Sequence, residues 1–194
     1  MPHRIGRRGR SAIPHPCPPI WLLSDPIRLP DPSPLLHGLP PGSAVLLRGA
    51  TAEVAARVAW ACRVRGLVLL ISGQGRLALR LGAGLHLPDR APTRDLLPFL
   101  LNRRGKLVSA AVHGRVGLAR ARRMKADVVL VSPAFATASH PGAPGLGPLR
   151  WAALARAAGR PAVALGGMSA RAMRRLPRGL AAGWAGIGIW QVVA

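Results

Sequence analysis

Carboxylates are scarce in this chain of 194 residues: Asp25, Asp31, Glu53, Asp89, Asp95 and Asp127 are all it has. Tyrosine is absent, and phenylalanine and cysteine occur twice each. The two cysteines, Cys17 and Cys62, can neither build a disulfide framework nor complete a structural zinc site. So few aromatic rings leave little to stack on unpaired bases, and no helix-turn-helix, zinc-finger or RNA-recognition signature is present. No run of about 18 apolar residues escapes interruption by Arg or Pro. The basic N-terminus leads into Pro14, Pro16, Pro18 and Pro19 rather than an apolar signal core. A soluble, cytoplasmic protein without a membrane partner is expected.

What the chain does contain is enough apolar matter for a core. Its residues are 49% hydrophobic, and 23 glycines with 20 prolines stop short of a low-complexity composition. The length suits one domain. The net charge is +22, and only Lys106 and Lys125 among the cations are lysine. Arginine with abundant Ala, Gly, Pro and Leu is the composition a GC-rich genome imposes, but codon bias does not explain the shortage of acids. Two readings follow: an anionic ligand or partner, nucleic acid included, or a basic exterior that is simply solvated.

Residues 1–19 are basic and proline-rich, with Arg4, Arg7, Arg8 and Arg10 clustered, and read as an extension. From Ile20 to residue 194, short Val/Ile/Leu runs alternate with Ala/Arg/Leu stretches at helical spacing, the pattern of parallel strands joined by crossover helices. Strands are predicted at Ile20–Leu23, Ala44–Arg48, Leu67–Ser72, Gly84–Leu87, Leu107–Ala111, Val128–Ser132, Ala162–Leu165 and Ala185–Ile189. Helices are predicted at Thr51–Arg65, Gly75–Leu81, Thr93–Arg103, Arg115–Lys125, Pro148–Ala158 and Ser169–Leu176, with a proline-damaged turn between the first two strands. Eight such steps predict an α/β TIM (β/α)8 barrel. A doubly wound open sheet is the alternative, but Ser24-Asp25-Pro26 stands where its glycine-rich loop belongs. Little sequence follows the eighth strand, so most or all of the final helix is expected to be missing. The N-terminal extension or a second copy of the chain, in a homodimer, would then cover the exposed face.

Barrel sites lie at the C-terminal strand ends. The residues there include Arg48, Ser72, His86, Asp89, His113, Thr137, His140, Gly166, Gly167, Ile189 and Trp190. Gly166-Gly167, followed by Ser169 opening a helix, lets backbone amides approach an anion, and with the turn at Ile189 and Trp190 it predicts a phosphate site; a tight turn is the alternative.

In order along the chain stand Val45-Leu46-Leu47-Arg48, Gly82-Ala83-Gly84-Leu85-His86-Leu87, Ala111-Val112-His113, Ala126-Asp127-Val128, Ser132-Pro133-Ala134-Phe135-Ala136-Thr137, Gly145-Leu146-Gly147, Ala164-Leu165-Gly166-Gly167-Met168 and Gly183 to Ile189. This series, from about Trp21 to Trp190, resembles the family of thiamine phosphate synthase and its relative, the thiazole tautomerase TenI. The resemblance implies a TIM barrel that binds thiazole phosphate, in thiamine biosynthesis. In the synthase, a pyrimidine pyrophosphate is joined to it with Mg²⁺. The chain departs from the synthase pattern: Gln-x-Arg-x-Lys becomes Leu46, Arg48 and Ala50, and Asn-Asp becomes Ser72-Gly73. The metal-binding aspartate falls near Ala91, with Asp89 two residues away as the one candidate metal ligand, and the loop lysine is His140. Dispersing pyrophosphate charge needs that equipment.

A metal-free, tautomerase-type proton transfer on a small phosphorylated ligand is therefore the favoured expectation. His113 would be catalytic, with Arg48, Ser72, His86, Thr137 and His140 binding substrate. Mg²⁺-dependent thiamine phosphate synthesis and an inactive barrel that binds a ligand or nucleic acid are the alternatives. Each residue also has a plainer reading: Arg48 paired with Asp25 or Asp89, His113 hydrogen-bonded in place, His86 a satisfied core residue, and Trp190 a packing residue.

Overall fold

The computed structural model describes residues 17–89, 91–137, 142 and 144–187. Eight parallel strands close into a barrel in chain order: β1 (Ile20–Leu23), β2 (Ala44–Leu47), β3 (Val68–Ser72), β4 (Gly84–Leu87), β5 (Val108–Val112), β6 (Val128–Val131), β7 (Ala162–Leu165) and β8 (Ala181–Gly186). The crossovers carry α1 (Ala52–Val64), α2 (Gly75–Leu81), α3 (Leu96–Asn102), α4 (Arg115–Arg123), α5 (Gly147–Ala158) and α6 (Ala170–Met173). A 3-10 turn over Ser33–Gly38 replaces a helix between β1 and β2. The predicted TIM barrel is thus the observed fold. No helix of the described residues is long and apolar enough to cross a membrane.

Strand alternation divides the core into two shells. Trp21, Leu23, Leu46, Leu70, Leu130 and Val163 fill the barrel interior. Their neighbours Leu22, Val45, Ile71, Leu85, Val129 and Ala164 face the helices, where they meet Val58, Phe99 and Trp151. Thr51 starts α1 by accepting the Val54 N–H on its hydroxyl, and Gly82 and Gly159 end α2 and α5 in the left-handed conformation, which lacks a steric cost for glycine.

Closure comes from β1 and β8, registered Ile20 to Trp184, Trp21 to Ala185 and Leu22 to Gly186. Cys17, Pro18 and Pro19, assigned by sequence to the extension, contribute to that closure. The Trp21 indole N–H donates to the Pro18 carbonyl at 2.7 Å, and the Trp184 N–H donates to that of Pro19 at 3.0 Å. Residues 1–16 and 188–194 lie outside the described residues, so the expected loss of the final helix and the cover over β8 do too.

The first seven strands fall within one residue of their predicted bounds. α4 ends at Arg123, two residues before its predicted end, and three elements differ by more. β8 begins at Ala181 rather than Ala185, because Ala-Ala-Gly is too small to signal a strand yet suits a wall pressed against Pro18 and Pro19. α3 begins at Leu96 rather than Thr93, since Arg94 exchanges backbone hydrogen bonds with Gly73 and Gly75 and Asp95 sits at φ 52°. α6 is a single turn, not the helix predicted over Ser169–Leu176.

Gly183 tests the closure. A Cβ there would lie 2.6 Å from the Pro19 carbonyl oxygen and 2.8 Å from that of Pro18, both backbone atoms that cannot swing away. Gly183→Ala is expected to destabilise the fold by about 1–3 kcal/mol in urea titration. Gly38→Ala, where a Cβ meets nothing within 4 Å, should be neutral or slightly stabilising.

Candidate active site

The strand ends surround a cavity of about 650 Å³ lined by Arg48, Ser72, His86, Asp89, His113, Thr137 and Gly166 among the predicted residues. Gly167 is exposed. His140, Ile189 and Trp190 lie outside the described residues.

On the β1–β2 side, Asp25 accepts from the Arg28 guanidinium at 3.0 Å, the Arg48 guanidinium at 3.2 Å and the backbone N–H groups of Ile27 and Arg28 at 3.1 Å. The hydrogen bond from the Arg28 side chain leads these effects and, against some desolvation, holds the carboxyl at about 2. Arg48 also donates through Nε to the Ser24 carbonyl at 2.7 Å, while Ser24 Oγ accepts from the Arg48 N–H. The plainer reading of Arg48, pairing with Asp25, therefore holds while its side chain also lines the cavity.

On the β4–β6 side, His113 Nδ1 lies 3.0 Å from the Ser132 carbonyl oxygen and 3.3 Å from the Ser132 hydroxyl. A carbonyl only accepts, so Nδ1 carries a proton and Nε2 is the basic atom. That Nε2 is 3.9 Å from Asp89 Oδ2. Asp89 Oδ1 lies 3.7 Å from Arg120 Nη2. Arg120 reaches in from α4 to donate to the carbonyls of Leu87 at 3.1 Å, Ala111 at 3.3 Å and Pro88. It binds together the ends of β4 and β5, which carry Asp89 and His113. Sequence reasoning missed it, because nothing in the spacing of α4 separates Arg120 from Arg115, Arg122 and Arg123.

His86 forms part of the cavity floor. It is buried, with Nδ1 2.9 Å from Ser109 Oγ. Burial above all, then the positive charge of Arg48 and Arg120 and the neighbouring His113, pushes its pKa down to about 3. Both readings of His86 thus meet in one residue: a satisfied core histidine that also offers a neutral ring to the cavity.

At the β7 end, Gly166 and Gly167 adopt φ 92° and 62°. A Cβ on Gly167 would lie 2.4 Å from the Ala136 carbonyl oxygen, and one on Gly166 would lie 3.0 Å from Pro133. Phe135 N–H donates to the Gly166 carbonyl at 3.0 Å, so the loops after β6 and β7 are stitched together here.

The residues do not fit Mg²⁺. That ion takes carboxylate oxygens and waters in near-octahedral order, whereas Asp25 is saturated by four donors and Asp89 faces a guanidinium and an imidazole. No three His, Cys, Asp or Glu groups come together among the described residues.

The neutral His86 has a consequence for acid stability. Its folded pKa lies below the unfolded value, so between about pH 6.5 and pH 3 the unfolded chain binds the extra proton and stability falls as pH falls. The Asp25 contribution is lost only below about pH 4. Between pH 6.5 and 4.5 the wild type should lose on the order of 2 kcal/mol from this one group, and His86→Gln should remove that part of the slope in urea titrations.

Comparison with known proteins agrees with the barrel fold. No curated protein sequence matches the chain. Among solved structures, the thiamine phosphate pyrophosphorylase of Pyrococcus furiosus superposes with a TM-score of 0.72 at 17% identity, covering 89% of this chain and 87% of that one. The 2-keto-3-deoxy-6-phosphogluconate aldolase of Zymomonas mobilis, solved with 3-phosphoglycerate, reaches 0.61 at 14% identity over 92% and 84%. A glycerol uptake operon antiterminator-related protein from Thermotoga maritima reaches 0.54 at 13% identity over 90% and 99%. At these identities the likenesses establish the fold alone. The sequence itself carries more: residues 46–189, from the end of β2 to past β8, match the family described as thiamine monophosphate synthase, and the chain belongs to that family.

Proposed function

We propose that the protein performs a metal-free, tautomerase-type proton transfer on a thiazole phosphate or a similar small phosphate ester held at the top of the barrel. The observation that carries this reading is the setting of His113. Its ring, solvent-accessible in the cavity lining, is oriented by the Ser132 carbonyl, and Asp89 stands 3.9 Å from its basic Nε2. Nε2 would take a proton from one atom of the bound ring and return it to another, as a general base and then a general acid. The imidazolium formed between the two steps is offset by the Asp89 carboxylate, which Arg120 steadies from behind. No group leaves and no pyrophosphate charge has to be dispersed, so the reaction makes no demand for a set of metal ligands.

Binding is the other half of the reading. The phosphate is assigned to the Gly166 and Gly167 corner, with Ile189 and Trp190 as its sequence-predicted neighbours, and the ring to the pocket floored by His86 and Ser72. Arg28 and Arg48 add positive charge on the opposite wall, partly neutralised by Asp25. His86 is uncharged at neutral pH, so it can recognise a heterocycle through a hydrogen bond without a net charge. Family membership and the pyrophosphorylase likeness favour a ligand of the thiamine pathway; the donor set of the cavity favours isomerisation over condensation.

Two measurements test this. Calorimetric titration should detect thiazole phosphate or thiamine phosphate binding, and absence of heat at millimolar ligand would overturn the reading. In a tautomerase assay, His113→Ala should lower kcat by about 10²- to 10⁴-fold, the range of a lost acid–base group, while EDTA leaves the wild type unchanged. Formation of thiamine phosphate from the two synthase substrates with Mg²⁺ would replace this reaction with the condensation.

A further inference from the structure

We propose that the outer face formed by α4, α5 and α6 docks the phosphodiester backbone of a nucleic-acid duplex. This surface lies on the helical exterior and does not depend on what the cavity binds. After Asp127 the sequence contains no carboxylate at all, and its seven cations beyond that point are all arginine. Arg150 and Arg156 stand on the solvent side of α5, and Arg160 follows its C-cap, all exposed. Around α6, Arg171, Arg174, Arg175 and Arg178 are exposed as well. The surface continues onto α4, since Arg122 donates to the Ala157 carbonyl at the end of α5 and brings the exposed Arg123 and Lys125 with it.

The remaining carboxylates do not serve this face. Asp127 is engaged by Arg103 and by the Val108 N–H, both at 2.8 Å, on its α3 side. Asp25, Asp31, Asp89 and Asp95 lie against arginines of the first half of the barrel or of the cavity wall, and Glu53 stands in the first turn of α1. The charge is thus partly compensated around α1 to α3, where Asp31, Asp95 and Asp127 each engage an arginine, whereas no carboxylate follows Asp127 to offset the arginines of α5 and α6. Like charges gathered on one face repel, and a polyanion that displaces their counterions relieves that repulsion with a gain in entropy.

The side chains on this face narrow the partner further. Arginine presents a planar fork that matches two phosphate oxygens, which a lysine does not. Aromatic platforms for reading bases are withheld: Trp151 is buried, and Phe135 lies beneath the Arg175 guanidinium at 4.6 Å. Recognition is therefore of the backbone and indifferent to sequence. A lipid surface would call for a broad apolar stripe to insert, whereas α4 and α5 each expose a single large apolar residue, Val116 and Leu149, and α6 is a single turn.

The test is fluorescence anisotropy with labelled DNA and RNA duplexes of about 20 base pairs, titrated with the full chain between about 50 and 200 mM salt. Two variants are compared, each with four exposed arginines changed to serine and thus the same net charge. One removes Arg150, Arg156, Arg160 and Arg171; the other removes Arg63, Arg80, Arg94 and Arg104 on the α1 to α3 side. The wild type should bind both duplexes, and the first variant should flatten the slope of log K against log salt by about 2–4 while the second leaves it nearly unchanged. Equal loss in both variants would show diffuse charge rather than a docking face and overturn the proposal. So would failure to bind duplex at the low salt, or binding confined to vesicles containing phosphatidylglycerol.

Discussion

Everything functional in this molecule depends on the closure of a parallel sheet upon itself. In an open sheet β1 and β8 would lie at opposite ends, and the residues after β2, β5 and β7 would look out over different stretches of its edge. Pairing β8 to β1, with the backbone of Pro18 and Pro19 drawn against Gly183, bends the sheet into a ring and gathers every C-terminal strand end on one rim. Arg48, His86, His113 and Gly166, far apart in the chain, become walls of one cavity for that reason.

The second determinant is the economy of negative charge. With six carboxylates against 28 cations, a carboxylate beside the cavity finds an arginine before it can find a metal. Asp25 is spent in holding the Arg28 and Arg48 side chains. Asp89, between Arg120 and His113, keeps a relation to a titratable ring. The rim accordingly holds an imidazole oriented by a backbone carbonyl, beside a second histidine that burial keeps neutral.

Much of this was legible in the sequence, and the exceptions have physical causes. The first seven strands announce themselves because apolar runs such as Val68–Ser72 and Val128–Val131 are bounded by glycine, proline or charge. β8 hides because its Ala and Gly residues are selected for fit rather than hydrophobicity, and α3 begins late because Arg94 and Asp95 serve the turn at Gly73. Candidate residues at strand ends could be placed by topology alone, which is how Arg48, His86 and His113 were found. Arg120 could not, since its role comes from three carbonyls that only the folded chain brings within reach.

The contact between Gly166-Gly167 and Pro133 to Ala136 bears on how such a site can be remodelled. The loop from Pro133 to Ala136 occupies the space a side chain on Gly166 or Gly167 would need, and the two loops share a backbone hydrogen bond. A designer or a lineage that lengthens one loop to admit a bulkier ligand must reshape the other in the same step. The opposite wall is built the same way, since Pro26 lies where a side chain on Gly49 would go, so both sides of the rim change shape by paired rather than single substitutions.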